Sequence, residues 1–532
     1  MRKSMCVCAA LLTALAVAGC GGGKSQAGNT ASNGATGSSK QYADLRWGLL
    51  TWPGGIDDLK VIWPQSYEIE GLVAQNLVEA EPDGKPKPGL ASSFEQSSPT
   101  TYVYHLRSGV RFSDGHPLTS ADVVYSLQRN ITGKEVWTHG YWINVASVSA
   151  RGPDTVVIKL KRPNAVWQDV MLFTSPITEK AQLAKIGEKA LGTPGNLPIG
   201  TGPWKLDAFT PEASAELSPN PYWTGAKQPA KKISVTVFKD EASLALALRS
   251  GAINGTFGYA APKTFANISG VPQLKAPGTS ETQVVINTAQ PPFNNVHVRR
   301  AIAYATDTKG IIAALYPGAA TEEASIVPSS LFVDLGSTSQ VNELIGGLPK
   351  YEFNLEKAKQ ELTKSPYPHG FATTVYAPAP EASLVSAAEI LASDLAKIGI
   401  TAKIHEVQRD EEQPSLYNKT TLFVSTTYSV YPDPEGMTSS LLPPAQIPNP
   451  NVAHFNNAEV NKLQTEESET LEPAKRLQLI GKLLGIVGAE VPYVPVFTPD
   501  ALGSLSSQYV FPTFSNWTIL FRPWALDVKL AS

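Results

Sequence analysis

Residues Pro88 to Arg129 read PGLASSFEQSSPTTYVYHLRSGVRFSDGHPLTSADVVYSLQR, and this stretch decides the fold. Tyr102-Val103-Tyr104-His105-Leu106 is rich in aromatic and β-branched residues and predicts a strand. Val110-Arg111-Phe112 predicts a second, short strand, and Asp114-Gly115 a turn. Thr119 with Asp122 three residues later has the spacing of a helix N-cap and its capping acid. Val123, Val124 and Leu127 then make one apolar helix face. Strands, a turn and a capped helix in close succession place the chain in the α/β class.

Toward the C-terminus the signals keep mixing. Thr155 to Leu160 and Ile233 to Phe238 predict strands, and Ala242 to Arg249 a helix stopped by Gly251. Asn295 can cap a helix running through Arg299, Ala301 and Ile302. Leu355 to Leu362 predicts a helix. Thr373 to Tyr376, Ser383 to Ile398 and Ile400 to Val407 predict strand, helix and strand, a βαβ unit that favours a mostly parallel sheet. Thr421 to Thr427 adds a strand, and helices are predicted near 456–468 and 473–488. The last residues turn β- and aromatic-rich again at Tyr493, Val494, Val496, Phe497, Phe511, Phe514 and Trp517. That return predicts a C-terminus folded back on the first lobe. No internal repeat is visible.

Toward the N-terminus, Arg2 and Lys3 precede the apolar run Val7 to Val17, which is too short to span a bilayer. The run closes on Val17-Ala18-Gly19-Cys20, which resembles the lipobox of bacterial lipoproteins. That resemblance implies a signal peptide over 1–19 and lipid on Cys20. Cys6 and Cys8 fall in the leader, so the mature chain has one cysteine and no possible internal disulfide. Residues 20–41 carry the lipidated Cys and a Gly/Ser-rich linker of about 25 Å r.m.s. span. The 44 basic and 47 acidic side chains are dispersed, which argues against nucleic acid as a partner. No apolar stretch after residue 20 is long enough for a membrane span.

The stretch 88–129 resembles the signature region of bacterial solute-binding proteins of family 5, with its P-x-LA, HLR-x-GV-x-F-x-DG and P-x-T-x-x-DVV-x-S elements all present. Gly200-Thr201-Gly202-Pro203-Trp204, Asn220-Pro221-Tyr222-Trp223, Pro292 to Ile302, Tyr431-Pro432-Asp433-Pro434 and Phe455 to Val460 resemble further motifs of that family in order. The resemblance covers about 45–530. It implies an α/β, two-lobed periplasmic-binding-protein (Venus-flytrap) fold, with large mixed-sheet lobes joined by a hinge. Lobe I is expected over 42–280 plus 496–532, with an inserted subdomain at about 65–195, and lobe II over 281–495. The implied role is capture of a small solute, peptide or peptide-like, for the permease subunits of an ABC importer. The chain is expected to work as a monomer, without cofactor, held to the membrane by its lipid.

The resemblance also nominates a site. Trp63 and Tyr67 lie where the family's N-terminal loop approaches the cleft, and Trp137, Tyr141 and Trp142 follow the signature helix. Tyr428, Val430, Tyr431 and Asp433 lie on the Y-P-D-P turn, where Asp433 is either a turn-former or a ligand group. Peptide-binding members place an aspartate immediately before that turn, to pair with the peptide's α-ammonium. Here the position holds Val430. An unpaired ammonium is costly to bury, so either another acid pairs with it or the ligand carries no free α-amine there, as a longer or modified peptide, an oligosaccharide or a chelate rather than a plain dipeptide would. Against an exported hydrolase, there is no G-x-S-x-G. The acidic pairs Asp57-Asp58, Glu322-Glu323 and Glu411-Glu412 read as solvated surface. The seven His residues show no H-x-H or H-E-x-x-H, and no metal site is expected from this chain alone.

Overall fold

The computed structural model describes residues 37–532 except 39, 51, 53, 54, 58, 62, 63, 134, 135, 259–261, 409, 410, 412 and 413. The leader, Cys20, most of the linker and Trp63 lie outside the described residues. No helix among the described residues is long and apolar enough to cross a membrane.

Leu45–Leu50 is the central strand of the first lobe. It runs parallel to Ile233–Phe238 on one side and to Gly255–Phe257 on the other. The seven-stranded sheet is ordered Gln273–Ala276, Ala501–Leu505, Gly255–Phe257, Leu45–Leu50, Ile233–Phe238, Ser214–Pro219, Trp204–Thr210. Trp47 is fully buried on one face and packs on Trp524 at 4.5 Å. On the other face, a Cβ at Gly48 would lie 2.6 Å from Leu244, so the glycine lets helix Glu241–Ser250 pack close. That helix starts at Asp240, whose Oδ1 accepts the Ser243 N–H at 2.8 Å, and stops at left-handed Gly251.

The second lobe is built on a six-stranded sheet ordered Ala320–Thr321, Tyr493–Pro499, Ser280–Ile286, Leu422–Tyr428, Ala372–Pro378, Thr401–Val407. The βαβ unit is present, with Ala372–Pro378 parallel to Thr401–Val407 and helix Ala382–Ala396 between them. The sheet as a whole is mixed rather than mostly parallel, because Ser280–Ile286 pairs antiparallel with both neighbours. Strand Tyr493–Pro499 stays in this sheet to its end. The next strand, Ala501–Leu505, pairs in the seven-stranded sheet.

The two crossings touch. A Cβ at Gly278 would stand 1.9 Å from the carbonyl oxygen of Pro499, so only glycine fits where the outgoing segment passes the returning one.

A four-stranded antiparallel sheet, ordered Ala91–Ser98, Thr101–Leu106, Thr155–Leu160, Val145–Ala150, carries the signature stretch. The Thr119 N–H and Oγ1–H donate to Asp122 Oδ2 at 3.0 and 2.6 Å, as the spacing predicts, and start helix Ser120–Thr132. The predicted strand at Val110–Phe112 is reduced to one bridge, Arg111 to Pro117, because the turn folds too tightly for a ladder. Asp57, expected at the surface, is buried. It pairs with Arg129 at 2.5 Å and Lys60 at 3.1 Å, pinning the loop before helix Pro64–Val73 to the signature helix.

Candidate ligand-binding site

Three parallel strands of the second lobe run to the same edge, two ending level at Pro378 and Val407 and the third reaching three residues further, to Tyr428. In α/β sheets a ligand crevice forms outside such carboxyl ends. At this edge the Tyr428 side chain is 64% exposed. Its phenol is nevertheless pushed above its ordinary range, first by the surrounding mass of protein, then by the Glu381 carboxylate and the Tyr316 phenol. Tyr428 thus stands beside Glu381 and Tyr316, which form a wall at this edge. Tyr316 O–H donates to Ser383 Oγ at 3.3 Å, fixing that wall to the start of helix Ala382–Ala396. On the opposite side, Ser429 N–H donates to the Thr279 carbonyl at 3.1 Å. Asn516 Nδ2 of the returning C-terminal segment donates to Thr279 Oγ1 at 2.7 Å.

The next residues turn inward. Val430 is half-buried against apolar core, and Tyr431 is 1% exposed. The Tyr431 ring stacks on Phe173 at 5.9 Å and 5°, and meets Tyr141 edge-on at 6.1 Å. Phe173 belongs to helix Trp167–Thr174 and stacks on Trp137 at 5.7 Å. Phe173 also touches Phe521, against which Tyr67 stands edge-on at 6.0 Å. One aromatic assembly thus joins Tyr67, Trp137 and Tyr431 from three distant parts of the chain. Trp142 is not part of it. It is 1% exposed and packs on Trp167 at 5.2 Å, inside the core beside the four-stranded sheet. Gly84, at a hairpin tip with φ of +98°, completes the contact between the halves. A Cβ there would lie 2.5 Å from Pro432.

Beneath the turn sits a buried charge cluster. Arg476 donates to both oxygens of Asp433 at 2.6 Å each and from Nε to Glu467 at 2.9 Å. Asp433 also accepts the Glu435 N–H at 2.8 Å, and Tyr431 O–H donates to Glu435. Asp433 is thus saturated by the turn it forms. Burial, then the Asp433 charge, holds the Asp169 carboxyl well above its usual range from one turn before Phe173. Burial likewise raises Glu435 and Glu467. Burial opposes the Arg476 charge, but Asp433 and Glu467 more than offset it.

Asp169, Phe173 and Arg476 are parts that sequence reasoning missed. Arg476 carried a usable signal, since it shares a helix face with buried Ile480 and Leu483. A separate recess of about 270 Å³, bordered by Lys309, Glu322, Tyr351 and Tyr493, shares no residue with this assembly.

Two sheet-built lobes joined by two adjacent crossings match the fold of two-lobed periplasmic binding proteins. The pattern for bacterial extracellular solute-binding proteins, family 5 Middle, matches residues 85–449, and the chain belongs to that family. It is therefore an extracytoplasmic binding protein and not an enzyme. Among curated relatives, heme-binding protein A of Haemophilus influenzae is 27% identical over 87% of this chain and 90% of its own. The glutathione-binding protein GsiB of Escherichia coli is 23% identical over 82% of this chain and 85% of its own. Among solved structures, the periplasmic binding protein DppA of Helicobacter pylori, in complex with the peptide STSA, superposes with a TM-score of 0.76. It is 21% identical, over 92% of this chain and 98% of its own. CtaP of Listeria monocytogenes gives 0.80 at 21% identity, over 93% of this chain and 100% of its own.

Proposed function

We propose that this chain is the substrate-binding lipoprotein of an ABC importer, capturing a peptide or peptide-like solute between its lobes and handing it to a membrane permease. Lobe I runs over 42–276 and 501–532, lobe II over 280–499, and closure turns on the paired crossings at Gly278 and Asp500. The observation that carries the reading is Tyr428, an aromatic face open to solvent at the carboxyl edge of the sheet. Such a face suits an elongated, chemically variable ligand. Peptide, glutathione and heme appear in the names of its relatives, which fits a cleft that binds extended or flat solutes. Ligand that touches both lobes only when they close would shift the population to the closed form, which a permease can recognise by shape. The lipid on Cys20 would keep the receptor at high effective concentration beside that permease.

Tryptophan fluorescence against a panel of peptides, oligosaccharides and metal chelates tests this. Saturable change with a micromolar Kd, about −8 kcal/mol, and no turnover is expected. Chemical conversion of any panel member would sink the receptor reading. Val430 places an apolar side chain where a carboxylate would be needed for an α-ammonium. Free dipeptides should therefore bind weakly in calorimetry, and Val430→Asp should strengthen them. Tight binding of dipeptides to the unaltered protein would overturn that part.

A further inference from the structure

A second cluster of ligating side chains lies outside the recess, at the turn of the signature stretch. His116 Nδ1 stands 2.8 Å from Asp114 Oδ2 and 2.8 Å from Glu179 Oε1. The three ligating atoms all fall within 4.8 Å of one another. One ring nitrogen carries at most one proton, so it cannot give both carboxylates a full hydrogen bond. The carboxylates also repel each other. Glu179 is 5% exposed, so little water screens it, and Asp122 adds a third negative group to its surroundings. Among the described residues no Lys or Arg forms an ion pair with Asp114, Asp122 or Glu179. A buried carboxylate and two acidic neighbours thus face one exposed imidazole.

Backbone bonds hold the three groups in place from separate segments. Asp114 Oδ1 accepts the His116 N–H at 3.1 Å and shapes the turn. Gly115 has φ of +98°, and a Cβ there would lie 2.8 Å from the Tyr222 ring, so the turn is seated against that ring. Ser113 N–H donates to the Gly200 carbonyl at 2.9 Å, and Glu179 N–H to the Ile199 carbonyl at 3.2 Å. The turn and the Glu179 segment are thus tied to the same strip of chain, residues 199–200. The convergence of ligands does not depend on His116 to create it.

An imidazole nitrogen with two carboxylate oxygens is a donor set for Zn²⁺ or another late first-row divalent ion. Bonds of about 2.1 Å to such an ion place neighbouring ligand atoms roughly 3.0–3.4 Å apart. The observed 2.8 Å separations need relax by only a few tenths of an ångström. His116 has a side chain 69% exposed, which leaves room for entry and for water to complete the shell.

We propose that Asp114, His116 and Glu179 bind a divalent transition-metal ion of the Zn²⁺ class, which fastens the signature turn to the segment leading into helix Lys180–Ile186. The site is structural and separate from the solute recess. Sequence spacing hides it, since two ligands share a turn and the third lies more than sixty residues on.

The test uses the full-length protein in detergent, stripped with chelator and titrated with ZnCl₂ and, separately, CoCl₂. One equivalent of Zn²⁺ should bind and raise Tm, with visible absorption from bound Co²⁺. His116→Ala, at an exposed position, should lower Zn²⁺ affinity at least about tenfold and abolish the Co²⁺ bands, while keeping the unaltered protein's Tm in chelator. Glu179→Gln should do the same to binding. Absence of a saturable single equivalent would overturn the proposal. Unchanged affinity in His116→Ala would overturn it equally, since the ion would then sit elsewhere.

Discussion

Two regions of this molecule bury the same ingredients, an aromatic pair and carboxyl groups, in different ways. Inside lobe I, Trp47 packs on Trp524, and the Trp47 indole N–H donates to Glu68 at 3.0 Å. Under the turn at 431–434, Phe173 stacks on Tyr431 above Asp433 and Glu467, which share Arg476, and Glu435. Among the described residues no cation pairs with Glu68, and burial pushes its carboxyl up to about 8, against the Trp47 hydrogen bond. Asp433 and Glu467 have a guanidinium beside them. The difference teaches that a permanent core can keep a lone carboxyl by leaving it protonated. The cluster under the 431–434 turn instead pairs Asp433 and Glu467 with one shared Arg476, all three within residues 433–476.

The strongest way to break that comparison is to remove the shared cation. Arg476→Met leaves Asp433 and Glu467 buried without a partner. Breaking a buried pair from one side costs about 3–5 kcal/mol. Urea unfolding should show a loss of that size. A variant as stable as the unaltered protein would mean that the cluster is held by protons rather than by Arg476.

A smaller effect sharpens the other side. Folded Glu68 keeps its proton to about pH 8, whereas the unfolded side chain loses it near 4.5. Between those values the folded state binds the extra proton, so stability is highest at the acid end and falls as pH rises, levelling above about 8. From pH 6 to pH 9 this one group should remove roughly 2–3 kcal/mol. Glu68→Gln keeps an acceptor for Trp47 and should flatten that slope by a similar amount, read from urea midpoints at the two pH values. An unchanged slope would assign the dependence to other buried acids.

How much of this was legible in sequence follows the range of the interaction. The Thr119 cap, the Asn295 cap and the βαβ unit at 372–407 rest on neighbours a few residues apart, and all three are present. Trp137 and Trp142 look alike on the page and part ways in space. One stacks on Phe173 and the other packs on Trp167, and both partners come from a helix that no periodicity announced. Asp57 was misread for the same reason. Its partner Arg129 lies 72 residues away. The family motifs located the turn at 431–434, but not the Arg476 that saturates it.

A milder variant separates stacking from hydrogen bonding at the interlobe contact. Tyr431→Phe keeps the ring on Phe173 and removes the O–H donated to Glu435. Leaving that buried carboxyl without its donor should cost about 1–3 kcal/mol, measured by urea unfolding at pH 7. A cost below about 0.5 kcal/mol would show that stacking alone carries the contact.

The smallest effect on stability is expected three residues earlier. Tyr428 and Tyr431 have the same side chain on one short segment, yet one is 64% exposed and the other 1%. Tyr428→Ala removes no core packing and should change stability by no more than about 0.5 kcal/mol. It does remove the aromatic face of the proposed recess. The solute that co-purifies with the unaltered protein, extracted and added back, should bind the variant at least about tenfold more weakly, equivalent to roughly 1.4 kcal/mol. Affinity lost with stability kept is the signature of a surface held open for a ligand. The reverse outcome, stability lost and affinity kept, would make Tyr428 a second Tyr431 and remove the distinction on which the site rests.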